Sequence, residues 1–98
     1  MYELEHWIDG KRVKGTSGRF ADIYNPATGE VQGKVPLATQ AELDHAVARA
    51  AEAQKLWAKV NPQRRARVMM KFGALINEHM DRLAETLSRE HGKTLPDA

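Results

Sequence analysis

At about Leu37 the chain changes its grammar. Upstream, Gly, Pro and Asn interrupt short β-type runs; downstream, Ala, Leu, Glu, Arg and Lys recur at helical spacing. A sheet needs three or more strands, or a helix layer over a hairpin, to be stable in water. The upstream part offers one hairpin and two further extended runs, too few for a sheet of its own. The expected fold is an α+β segment. Residues 1–38 form its β/turn part and residues 39–98 its helical part, and together they look like a piece of something larger.

Local chemistry sets the elements. Glu5–Ile8 and Lys11–Lys14 flank Asp9-Gly10, a pair that tolerates the positive φ of a tight hairpin. Gly15–Gly18 reads as a loop and Phe20–Tyr24 as an extended run. Asn25-Pro26-Ala27-Thr28-Gly29 reads as a turn, because Pro presets φ and Gly supplies the left-handed position. Glu30–Val35 extends again and Pro36 closes it.

Thr39-Gln40-Ala41-Glu42 has the spacing of a capping box, so a first helix starts there. Its apolar side carries Leu43, Ala46, Val47, Ala50 and Trp57. Asn61-Pro62 starts a second helix, with Asn as cap and Pro at the first position. Val68, Met69, Phe72, Leu75 and Ile76 are its expected buried stripe. Asp81 is placed to cap a third helix bearing Leu83, Ala84 and Leu87, which Gly92 ends.

The 98 residues suffice for one small domain at most. They include no cysteine, so no disulfide, thiolate metal site or Cys nucleophile is available, and a reducing, cytoplasmic setting is expected. The opening decapeptide MYELEHWIDG has no basic start and no apolar stretch of the kind a signal peptide needs. No apolar run approaches the roughly 20 residues of a bilayer span. The formal net charge of +2 is slight, and neither nucleic acid nor membrane is an expected partner.

The chemical motifs are few. HGKTL, at His91–Leu95, ends like a phosphate loop, but the loop also needs Gly at position 87, which is Leu, and a helix that follows. GTSGRF has the wrong glycine spacing for a dinucleotide fingerprint. His6, His45, His79 and His91 show no metal-binding spacing. Arg64, Arg65, Arg67 and Lys71 lie close together, and cations in a first turn oppose the helix dipole. They fit a solvated face, ion pairs to an acidic partner, or a weak phosphate-backbone contact. The acids Glu42, Asp44, Glu52, Glu78, Asp81, Glu85 and Glu90 alternate with Lys and Arg, as solvated faces do. Nothing assembles a nucleophile, its base and an oxyanion hole.

Two stretches carry a resemblance. YNPATGEVQGKVPLAT, then an Ala-rich helix with Trp57, then NPQRRARVMMKFGALINEHMDRLAETLSREHGKTLPDA, is similar to the opening of an aldehyde dehydrogenase. The Asn-Pro-Ala-Thr-Gly-Glu turn, the Arg-rich helix start and Glu-x-Gly-Lys carry it, and it covers essentially the whole chain in order. Within that family, SGRFADIYNPATGEVQGKVPLA with EHGKTLPDA is most similar to the CoA-acylating, methylmalonate-semialdehyde branch.

The resemblance implies a long α/β enzyme of which this chain is an incomplete part, a partial outer layer of the NAD-binding domain. It implies a cysteine nucleophile, NAD and CoA as cofactors, and a homo-tetramer, with the remainder of the polypeptide as this segment's partner. No catalytic or NAD-contacting residue carries over, and the segment alone is expected to be inactive. One site maps by motif: a monovalent cation held by the carbonyls of Ile23 and Tyr24 and the acid Glu90. The other reading of Glu90 is a surface acid or a helix-end hydrogen bond. A different class of function stays open, a stand-alone helical module that docks a partner through Phe72, Leu75 and Ile76.

Overall fold

The computed structural model describes residues 1–98. Five strands come first: β1 (Tyr2–Glu3), β2 (His6–Ile8), β3 (Lys11–Val13), β4 (Phe20–Tyr24) and β5 (Val31–Pro36). Three helices follow, α1 (Gln40–Trp57), α2 (Pro62–Glu78) and α3 (Met80–His91), then a short 3-10 turn at Leu95–Asp97.

The Asp9-Gly10 signal is met. β2 and β3 pair antiparallel, with φ of 56° at Asp9 and 76° at Gly10, both positive as the tight hairpin turn requires. β4 and β5 form a second antiparallel pair, from Phe20 opposite Pro36 to Tyr24 opposite Val31. Between them, the Asn25 side chain accepts from Ala27 N at 2.9 Å and Gly29 N donates to Asn25 O at 2.7 Å.

The structure corrects the expectation that the strands are too few for a sheet. β1 pairs parallel with β5, giving a three-stranded sheet of order β1-β5-β4. A two-residue strand whose partner is distant in sequence leaves no local pattern. Gly33 makes the pairing possible, since a Cβ there would lie 2.6 Å from the Tyr2 ring.

The first helix starts as its spacing predicts. Glu42 N donates to Thr39 Oγ1 and Thr39 N donates to Glu42 Oε1, each at 3.0 Å. Asn61 Oδ1 accepts from Gln63 N at 2.8 Å and Arg64 N at 3.2 Å, with Pro62 opening α2. Asp81 does not cap α3. The chain turns from α2 to α3 at His79 alone, whose side chain makes no capping bond, and Asp81 falls inside the first turn. There its charge still complements the helix N-terminus. Gly92 ends α3 at φ 87°, with its N–H donating to Ser88 O at 2.8 Å.

Glu42 also ties the two halves together. Ser17 Oγ donates to Leu37 O, and Arg19 Nη2 donates to Ala38 O at 3.1 Å, which fixes the Gly15–Gly18 loop over the start of α1. Thr16 N then donates to Glu42 Oε2 at 3.2 Å, and His6 Nε2 lies 3.5 Å from the same oxygen. The Thr39 amide, ahead of Thr16 N, the Thr39 hydroxyl and His6, holds the Glu42 carboxyl below its ordinary value of 4.5, against the opposing effect of burial. The bonded form is the carboxylate. Its stabilisation is therefore complete above the ordinary value and drains as pH falls from there through the lowered one. In the natural gene product, Glu42→Gln is expected to lower the urea midpoint at pH 7, with the gap to wild type shrinking below pH 4.5. Urea melts of both proteins across that range check it, and a gap that stays constant in acid would refute the linkage.

The whole assembly is one layer thick. Its extents are 48 × 37 × 15 Å, whereas stable domains stack two or three layers about 10 Å apart. Its radius of gyration is 17.1 Å, against about 13 Å for a compact chain of this length. Its accessible surface is 8071 Å², against about 5,600 Å² expected from its mass. Only Gly33 and Pro36 are buried, and no hydrophobic side chain is. The α2 stripe corrects the expectation of burial: Val68, Met69 and Phe72 are more than half exposed, and Leu75 and Ile76 are little better covered. The periodicity is real, but nothing lies over the faces it creates.

Candidate functional site

Ile23 and Tyr24, the two carbonyl positions the resemblance singles out, end β4; Glu90 lies in the last turn of α3. The fold brings these two ends together through a residue the sequence did not flag. Gln32 Nε2 donates to Tyr24 O at 3.2 Å and to Arg89 O at 2.9 Å.

The reach of Gln32 follows from the sheet. The register passes from Ile23 opposite Gly33 to Tyr24 opposite Val31, so Gln32 is the extra residue of a bulge in β5. A bulge unpairs one residue and re-aims its side chain. At the other end, Arg89 O is among the last four carbonyls of α3, which lack partners within the helix. Ser88 O is satisfied by Gly92 N, and Arg89 O by Gln32. Gly92 lets the helix end approach the turn: a Cβ there would lie 2.9 Å from Pro26 Cγ.

The contact between the two ends is an amide junction. Hard cations take converging carbonyl and carboxylate oxygens. Here the two converging oxygens are those of Tyr24 and Arg89, and an N–H donor stands between them. The Gln32 amide bonds to neither Ile23 nor Glu90, and the exposed Glu90 carboxylate makes no hydrogen bond or ion pair. No three His, Asp or Glu side chains stand close enough to share a metal ion. Of the three residues the resemblance singles out, only Tyr24 is tied to the end of α3, through Gln32.

The basic cluster lies along α2. Arg64, Arg67 and Lys71 are exposed without ion pairs, while Arg65 is half-buried and its Nε has no partner. The chain offers no thiol.

The aldehyde dehydrogenase family profile matches residues 13–98. The chain belongs to the aldehyde dehydrogenase family. It is 47% identical over 95 residues to malonate-semialdehyde dehydrogenase 3 of Geobacillus kaustophilus, covering 97% of this chain and 20% of that one. It is 47% identical over 92 residues to a Caenorhabditis elegans protein described as an acylating, mitochondrial methylmalonate-semialdehyde/malonate-semialdehyde dehydrogenase, covering 94% of this chain and 18% of that one. A Sinorhizobium meliloti protein described as a methylmalonate-semialdehyde dehydrogenase, solved with NAD, superposes at a TM-score of 0.95 with 66% identity. The superposition covers 99% of this chain and 20% of that one. This aldehyde dehydrogenase chain thus spans about a fifth of the length of these relatives, the N-terminal fifth. The TM-score has a physical meaning here. The single-layer arrangement is the one its counterpart adopts inside a chain about five times longer.

Proposed function

We propose that this chain is the opening structural layer of a longer NAD-dependent, CoA-acylating semialdehyde dehydrogenase of the methylmalonate type. The observation that carries the reading is the uncovered single layer. Its accessible surface exceeds that of a compact chain of its mass by about 2,500 Å². A standard protein–protein interface takes only about 800 Å² from each partner. A cover of the larger size is obligate in character, and the remainder of the same polypeptide supplies it. The Sinorhizobium protein solved with NAD supports the nucleotide, and the acylating description of the Caenorhabditis protein supports CoA.

The division of labour follows from composition. The chain has no cysteine, so the thiol that attacks the aldehyde carbonyl belongs to the rest of the polypeptide. NAD supplies the hydride acceptor, and CoA the thiol that receives the acyl group. The residues present here pack, cap and clasp.

The test begins with the intact and native masses of the natural gene product. The expected subunit mass is about five times the 11.0 kDa of this chain, assembled as four copies. With malonate or methylmalonate semialdehyde, NADH is expected to form and acyl-CoA to accumulate when CoA is added. NAD reduction with free acid as the product, with or without CoA, would overturn the acylating assignment. A gene product of 11.0 kDa would overturn the whole reading in favour of a docking module using Phe72, Leu75 and Ile76.

A further inference from the structure

We propose that Gln32 is an amide clasp that joins the β4–β5 turn to the end of α3 and makes a metal ion unnecessary there. Its Nε2 carries two protons, and two carbonyls of separate elements take them, at 3.2 Å from Tyr24 and 2.9 Å from Arg89. The amide has one sensible orientation. Turned over, it would set Oε1 against two carbonyl oxygens, three acceptors with no proton among them.

Each bond answers a separate need. Tyr24 O lies where the β4–β5 register breaks, and Gln32 is the residue the break sets free. Arg89 O is an orphan of the last helical turn, capped from a residue 57 positions away. The clasp therefore links a bulge to an unpartnered carbonyl of a helix end, and each supplies what the other lacks. Gly92 approaches the same turn closely, since a Cβ on it would lie 2.9 Å from Pro26 Cγ. The amide already takes one lone pair of each carbonyl, and the nearby acid Glu90 makes no bond that brings its carboxylate to them.

Amide hydrogen exchange on the purified natural gene product tests this, with or without dehydrogenase activity. Exchange in segments 20–36 and 85–93 is read in sodium, potassium and choline chloride at equal ionic strength. The expected result for wild type is the same protection in all three. Gln32→Met keeps the length of the side chain and removes both donors. It is expected to speed exchange in both segments about fivefold or more in every salt. Protection in wild type that appears with sodium or potassium and fades in choline would overturn the proposal, because a cation would then be holding the junction. Unchanged exchange in Gln32→Met would overturn it equally.

Discussion

Expressed alone, residues 1–98 will melt without a cooperative transition. A folded domain of this length absorbs about 70 kcal/mol at its midpoint, because packed layers come apart together. Here there are no packed layers to separate. An unfolded chain of this mass exposes about 16,000 Å², so a surface of 8071 Å² means that only about half is buried. Even a 60-residue domain buries about 60%. The hydrogen-bonded ends of α1 and α2 will leave some helix, since capped segments of 17 or 18 residues exceed the marginal length for isolated helices. The far-ultraviolet signal will therefore decline gradually on heating. Calorimetry and near-ultraviolet circular dichroism of Trp7 and Trp57 provide the check, both rings being exposed at 70% and 40%. A sharp endotherm of full size from a monomer would show that the layer needs no cover. A sharp endotherm that appears only on dimerisation would favour the docking module instead.

The legible features were those decided within a few residues. Asp9-Gly10, Thr39 with Glu42, Asn61-Pro62 and Gly92 each specify a backbone conformation or a cap through their own chemistry, and each is found as expected. The resemblance was legible for a related reason, because ordered turns and helix starts keep their spacing, and the family match over residues 13–98 bears it out. What escaped reading depends on partners far away. β1 exists because Gly33 leaves room for Tyr2, and neither residue announces the other. Gln32 is an ordinary polar residue until the β4–β5 register skips it. The apolar stripes were legible as period but not as burial, since burial belongs to whatever covers them. The resemblance led to Tyr24 and Glu90, and the structure moves the bonding from Glu90 to the carbonyl beside it, at Arg89. No reading of these residues could have found a thiol nucleophile, because the chain contains no cysteine.

Gly92→Ala will destabilise the natural gene product by about 2–4 kcal/mol, the sum of a left-handed backbone penalty and a steric one. The two contributions can be separated within this chain. Gly29 has φ of 77°, close to the 87° of Gly92, but a Cβ at Gly29 meets nothing within 4 Å. Gly29→Ala should therefore show the backbone penalty alone, about 1–2 kcal/mol. At Gly92 the new methyl would lie 2.9 Å from Pro26 Cγ and 3.3 Å from Pro26 Cβ. Pro26 is held by the Asn25 turn and cannot swing away as the end of a flexible side chain would, so either the turn or the helix end must shift. A shift of either strains the Gln32 bonds, whose acceptors sit on those two elements. The excess of Gly92→Ala over Gly29→Ala, read from urea midpoints, measures this contact. Pro26→Ala removes Cγ, the closer of the two atoms. In a double-mutant cycle it should recover part of the Gly92→Ala loss, leaving a coupling that two independent sites would not show. Equal losses at Gly92 and Gly29, or strict additivity with Pro26→Ala, would mean that the helix end and the turn are not pressed together. The junction would then rest on the two hydrogen bonds of Gln32 alone.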